Sequence, residues 1–270
     1  MGVVDLVVLK QNFEKLFNEN KKEQVFQKYI EENSCLIPQL FIQNHGIWLN
    51  TVFVKVPMGN GNRHKTDVMF LAKSSANWNC VLIEIEEPHK KIFNNDKNSS
   101  FTNTFNKAKE QVASWRFWLK EPNNSNTFKG FIEKTMHKGM KDNPINYKFV
   151  LIYGRSEEFT NDRRKKWDGL KTENPDTYYM TYDSLFEDEH DFLNVGRILS
   201  DTIEIDTINK SFNPQYFVSF LSPEKFKLPK TEVEKMKAYC KQQMEKKVLG
   251  MDDIWSNSLN AINKIQTKNK

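Results

Sequence analysis

The chain has 270 residues, 38% of them hydrophobic and 13% aromatic, enough for one sizeable globular core and a composition that excludes a disordered protein. A formal charge of +5 admits a nucleic-acid partner without specifying one. Three scattered cysteines (Cys35, Cys80 and Cys240) exclude a disulfide framework and a zinc knuckle, and imply reduced thiols in a cytoplasmic protein.

The first ten residues, MGVVDLVVLK, are too short for a spanning helix, lack a basic leader and carry Asp5. No later run reaches membrane length, so no membrane association is expected. From Leu6 to Asn33 the spacing is helical: Phe13, Leu16 and Phe17 form one apolar stripe, and Val25, Phe26, Tyr29 and Ile30 a second. Ile47 to Met58, IWLNTVFVKVPM, reads as a strand. The turn signal Gly59-Asn-Gly-Asn62 joins it to a second strand, Thr66 to Ala72, predicted to pair antiparallel with the first. A third strand, Val81 to Glu87, stops at Pro88.

An Asn-rich stretch then leads into a helix over Thr102 to Lys120, and a shorter helix is predicted over Phe128 to Lys138. Tyr147 to Tyr153 reads as a strand, Asn161 to Leu170 as a basic helix, and Thr177 to Tyr182 as a further strand. Helical pieces are expected to fill most of the remainder. The order predicts an α/β fold, a mixed sheet flanked by helices.

The third strand contains an anomaly, NCVLIEIEEPHKK: Glu84 and Glu86 interrupt an apolar run. Strand alternation puts Leu82, Glu84 and Glu86 on one face, with the two acids roughly 6–7 Å apart along the backbone. Like charges there oppose each other's ionisation, and burial adds a desolvation penalty. One reading is an edge strand with a wet polar face. The other is a site for a divalent cation, since hard ions such as Mg²⁺ (or Mn²⁺) take carboxylate oxygens. Asp67, at the start of the preceding strand, favours the second, because strand pairing can bring it beside Glu84. That layout suits metal-assisted phosphodiester hydrolysis.

The pattern Asp67…Glu84-Ile85-Glu86 resembles the core of the PD-(D/E)xK nuclease superfamily, with a restriction-endonuclease-like fold, and has Glu86 where that family usually carries Lys. Some restriction endonucleases of the superfamily also have Glu there. The departure leaves two roles open for Glu86, metal ligand or general base, and three candidates for the missing cation: His64, Lys65 and Lys90. The blocks KEQVFQKYIEENSCLIP, TDVMFL, VLIEIEEPHKKIF, KEQVASWRFWL, FVLIYGRSEEF and YMTYDSL follow in one order from Lys22 to Leu185. In that order they are similar to the nuclease domain of the Shedu anti-phage defence family.

The resemblance implies a metal-dependent DNA endonuclease with Asp67, Glu84 and Glu86 as ligands of Mg²⁺ or Mn²⁺. It gives Gln111 a place on the helix behind the site, where the residues alone give a boundary glutamine in water. Glu23 would add a fourth carboxylate; read as a plain residue it favours a helix N-terminus. Lys65, Lys90, Arg155, Arg163 and Arg164 are the candidate DNA contacts, although a basic run such as Arg163-Arg-Lys-Lys166 is more often a solvated face. Asp183 is expected to cap a helix starting near Ser184. Residues 1–38 would pack as helices on a nuclease core at 39–190, with 191–270 a helical extension. Its apolar stripe Ile254, Trp255, Leu259, Ile262 and Ile265 would close a core or dock a second copy, a homo-oligomer being expected of the family. The rival function is a nuclease fold kept for DNA binding or assembly without catalysis. A divalent cation that raises the melting temperature separates the two.

Overall fold

The structure, a computed structural model, describes residues 5–59, 65–246 and 252–268. His64 and most of the turn after Gly59 lie outside the described residues. The N-terminal helical stretch forms two helices, α1 (Leu6–Asn18) and α2 (Glu23–Glu32), one for each apolar stripe. Asp5 caps α1 by accepting hydrogen bonds from the backbone N–H groups of Val7 and Val8. Then follow β1 (Ile47–Pro57), β2 (Lys65–Lys73), β3 (Trp78–Ile85), α3 (Asn103–Lys120), α4 (Pro122–Ile132), β4 (Ile145–Ile152), α5 (Asn161–Glu173) and β5 (Thr177–Met180). Thr102 caps α3 and Pro122 opens α4, so the second helix starts earlier than its spacing suggested.

Past residue 190 the expected helical pieces are present, but four strands that the sequence reading did not place run among them. The chain contributes β6 (Asn194–Ile198), β7 (Ile203–Thr207), α6 (Pro214–Ser219), β8 (Phe226–Pro229), α7 (Lys230–Glu245), α8 (Asp252–Ile262) and β9 (Gln266–Lys268). These strands have three to five residues each. They are too short for their alternation to stand out from helical spacing. In β7, Ile203 and Ile205 are buried, while Glu204 pairs with Lys227 of the adjacent β8 and Asp206 with Lys268 of β9, one strand further on. Gly196 in β6 faces β7 so closely that an added Cβ would stand 2.5 Å from the carbonyl oxygen of Glu204.

All nine strands form one mixed sheet in the order β5-β4-β3-β2-β1-β6-β7-β8-β9. β1 and β2 pair antiparallel, as do β2 and β3, whereas β3, β4 and β5 run parallel. β1 pairs parallel with β6, so the hydrogen-bonded sheet continues across residue 190. β3 is central and all eight of its residues are buried.

Alternation sorts the strand residues onto two faces. One carries Phe53, Met69, Leu71, Cys80, Leu82 and Phe149 against α3 to α8. The other carries Val52, Val68, Phe70, Val81, Ile83 and Val150 against Phe13 of α1 and Phe26 and Ile30 of α2. In the tail, Trp255, Ile262 and Ile265 close the first of these cores, while Ile254 stays exposed. Among the described residues no helix is long and apolar enough to cross a membrane.

Candidate functional site

The sheet register builds a row of charged groups where the apolar strands end. Asp67 follows the pair Val68↔Ile83, so it stands across from Glu84 on the adjacent strand. On the other side, Lys55 lies between the pairs Val54↔Val68 and Val56↔Thr66, which sets it opposite Asp67. Lys55, Asp67 and Glu84 thus continue the face of Phe53, Met69 and Leu82, and Glu86 follows one alternation later.

Glu84 is the most deeply placed acid of this row, 8% exposed. Gln111, whose helix crosses this face, donates its side-chain N–H to Glu84 Oε1. Glu84 Oε2 is buried and has no hydrogen-bond partner among the described residues. Burial first, then the charges of Asp67, Glu86 and Glu23, push this carboxyl up to about 10, against a smaller opposing pull from Lys55. A buried carboxyl with one oxygen idle is costly as a structural element, because unmet polar groups forfeit their hydration.

The surrounding groups are wired to the backbone at the end of β3. Asp67 Oδ2 accepts from the N–H of Ile85 at 2.8 Å. Gln27, buried in α2, donates to the carbonyl of Ile85 at 3.2 Å and to Glu23 at 2.9 Å. Its amide oxygen and Asp67 Oδ1 both accept from the Lys55 ammonium. Lys90, in the loop after β3, donates to Glu86 and lies 3.7 Å from Glu23. Burial alone would lower the pKa of Lys90, but its hydrogen bond to Glu86 and the charges of Glu86 and Glu23 raise it. Glu23 is raised, by burial first and then by Glu86. The Tyr182 hydroxyl donates to the backbone carbonyl of Glu86, fixing the chain where the acids leave the sheet.

Asp67, Glu84, Glu86, Glu23, Gln111 and Lys90 therefore meet in one place. Among the described residues no three Asp, Glu, His or Cys side chains converge closely enough to ligate a single ion. The acids gather instead around two ammonium groups, Lys55 on Asp67 and Lys90 on Glu86. The donor set and the idle Glu84 oxygen nonetheless suit a hard divalent cation, provided that a lysine releases its carboxylate.

The other basic candidates lie elsewhere. Lys65 is exposed at the start of β2. Arg155 is held by Glu14 and Asp183 and lies 4.8 Å over the ring of Phe17, tying α1 to the loop after β4. Asp183 is occupied by Arg155 and the N–H and hydroxyl of Ser156, so the expected cap at Ser184 is corrected. Arg163 donates to the carbonyls of Glu158 and Asn94, whereas Arg164 is exposed and lies 5.6 Å from the Phe159 ring.

Two site residues were missed from the sequence, Lys55 and Gln27. Each carries a signal of the kind that exposed Glu84. Lys55 is a lone charge inside an apolar strand, and Gln27 sits between Phe26 and Ile30 on a buried helix face.

The family model described as Shedu protein SduA, C-terminal, matches residues 20–186, well over half of the chain, and spans every residue of the acidic cluster. No curated protein matches the chain.

Proposed function

Because the chain belongs to the Shedu SduA C-terminal family, we propose that it is a divalent-metal-dependent DNA endonuclease acting in anti-phage defence. The family match supports the defence role. The observation that carries the chemistry is Glu84: a buried carboxyl with one oxygen idle, in a row with Asp67 and beside Glu86 and Glu23. The restriction-endonuclease-like core suggested by the sequence pattern belongs to this reading, and the mixed sheet flanked by helices is compatible with it.

In this reading Asp67, Glu84 and Glu86, with Glu23 behind them, hold Mg²⁺ or Mn²⁺. A bound divalent cation supplies positive charge for a phosphoryl oxygen and lowers the pKa of a water. The chain's own residues do the rest. Gln111 fixes the orientation of Glu84, and the Ile85 N–H fixes that of Asp67. Tyr182 anchors the backbone of Glu86, whose carboxylate either ligates the ion or takes the proton of the attacking water. Arg164 and Lys65 are exposed cations that fit sequence-independent phosphate contacts.

The pairing of both lysines with the acids favours one rival, a DNA-binding or assembly module without catalysis. The test is incubation of supercoiled plasmid with the parent and Asp67→Asn in Mg²⁺, Mn²⁺ or EDTA. Nicked or linear product from the parent alone, only with metal, is expected. Binding of DNA without cutting in any metal would move the protein to the rival reading.

A further inference from the structure

The acids and Gln111 account for most of the cluster but leave Lys55 without a role. Its position is not that of a surface counter-ion. It lies in β1, most of whose residues are buried, with a φ of +53° that non-glycine residues seldom adopt. Its partner Asp67 has a side chain only 12% exposed, and Gln27 is buried. The same two partners also hold the Ile85 backbone, so the ammonium is placed by groups that place the acids.

The cations of the cluster differ in what they would give up by moving. Lys90 is shared by two carboxylates, Glu86 and Glu23. Arg155, outside the cluster, joins Glu14 to Asp183. Lys55 holds one carboxylate and one neutral amide, and 36% of its side chain is open to solvent. A divalent ion on Asp67 repels an ammonium on the same carboxylate. Lys55 is therefore the cation that gives up least by turning away when Asp67 is loaded, and it can turn toward solvent, from which a DNA backbone arrives.

We propose that Lys55 is the catalytic cation of this site: it neutralises Asp67 while the carboxylates lack a metal, and its ammonium contacts the phosphate being cleaved once they hold one. This rests on the nuclease reading. In the reaction a water oxygen forms a bond to phosphorus as the ester P–O bond breaks. The water proton passes to a carboxylate such as Glu86, and the departing oxygen takes a proton from solvent. The Lys55 ammonium stabilises the negative charge that grows on the phosphoryl oxygens. Cations aimed at developing charge in a water-poor site act in this way, and removing one such contact typically slows the step by ~10²–10³-fold. Delivery from β1 supplies the cation that Glu86, just past the end of β3, does not.

The test compares the parent with Lys55→Met, Lys55→Gln and Lys55→Arg. Each is assayed for single-turnover cleavage of a linear duplex in saturating Mg²⁺, for DNA affinity in EDTA, and for the rise in melting temperature caused by Mn²⁺ alone. The neutral variants are expected to lose about 100-fold or more in rate. They should keep DNA affinity close to the parent's and gain a larger Mn²⁺ shift, because nothing then competes for Asp67. Lys55→Arg should recover part of the rate; it also carries the test if a neutral variant fails to fold. Cleavage by a folded neutral variant at the parent's rate overturns the role of Lys55 and leaves the nuclease reading standing. So does a smaller or absent Mn²⁺ shift, which would make Lys55 a structural prop for Asp67. A parent that does not cut in Mg²⁺ or Mn²⁺ overturns the nuclease reading and this proposal with it.

Discussion

Replacing Glu84 by Gln is expected to stabilise the protein at pH 8 while disabling the site. Burial, reinforced by Asp67, Glu86 and Glu23, pushes the Glu84 carboxyl from its ordinary 4.5 up to about 10. The folded chain therefore retains a proton that the unfolded chain releases above its ordinary pKa. Where the folded state binds more protons than the unfolded state, stability falls as pH rises. The contribution is fully present below pH 4.5 and is lost progressively as pH climbs toward about 10. Between the ordinary value and pH 8 the ceiling is about 5 kcal/mol, at ~1.36 kcal/mol per unit. Water entry and local relaxation reduce this to about 1–3 kcal/mol, since buried sites behave as if more polarisable than dry protein. Gln keeps an oxygen for Gln111 and places an amide where the carboxyl has an unpartnered atom, so the packing penalty is similar in the two proteins. At roughly 2–4 °C per kcal/mol, the variant should melt about 2–12 °C above the parent at pH 8. The difference should shrink toward zero near pH 5. Thermal melts across this range, monitored by circular dichroism without metal, measure it. A variant that melts below the parent at pH 8, or a gap indifferent to pH, would refute the reasoning.

Other substitutions separate structural from functional charges. Arg155→Ala breaks the links to Glu14 and Asp183 and should lower stability by about 3 kcal/mol in chemical denaturation, with DNA affinity unchanged; unaltered stability would return Arg155 to the candidate DNA contacts. Gly154→Ala adds a Cβ 2.8 Å from the Lys90 carbonyl oxygen at a φ of +60°. It should destabilise by about 1–3 kcal/mol and slow cleavage, as a melt and a plasmid assay will show. Arg164→Ala is expected to reduce the salt slope of DNA binding by about one, while Arg163→Ala chiefly lowers the melting temperature, because Arg163 already serves two backbone carbonyls.

The central strands and their acids were legible because local rules determine them. Alternation placed Glu84 and Glu86 on one face, and β1 and β2 pair in the expected antiparallel register. The proximity of Asp67 to Glu84 follows from those two facts. Lys55 and Gln27 each stand out in the sequence as a polar residue on an apolar face, but their contact with one another depends on how α2 docks across the sheet end. No spacing within either segment encodes that docking. Arg155 was ambiguous for a similar reason, since one of its partners, Glu14, lies in a helix far away in the chain. The strands past residue 190 escaped because alternation over three to five residues, interrupted by charged partners, resembles a helix as much as a strand.

The claim on which everything rests is that the buried acids take up a divalent cation. Calorimetric titration of Mn²⁺ into the parent, Asp67→Asn and Glu84→Gln, repeated at pH 7.5 in buffers of different ionisation enthalpy, tests it most directly. The account predicts binding to the parent with release of a proton, since the protonated Glu84 must ionise to serve as a ligand, and loss of binding in both variants. Absence of binding to the parent, or binding that survives both substitutions, would contradict it.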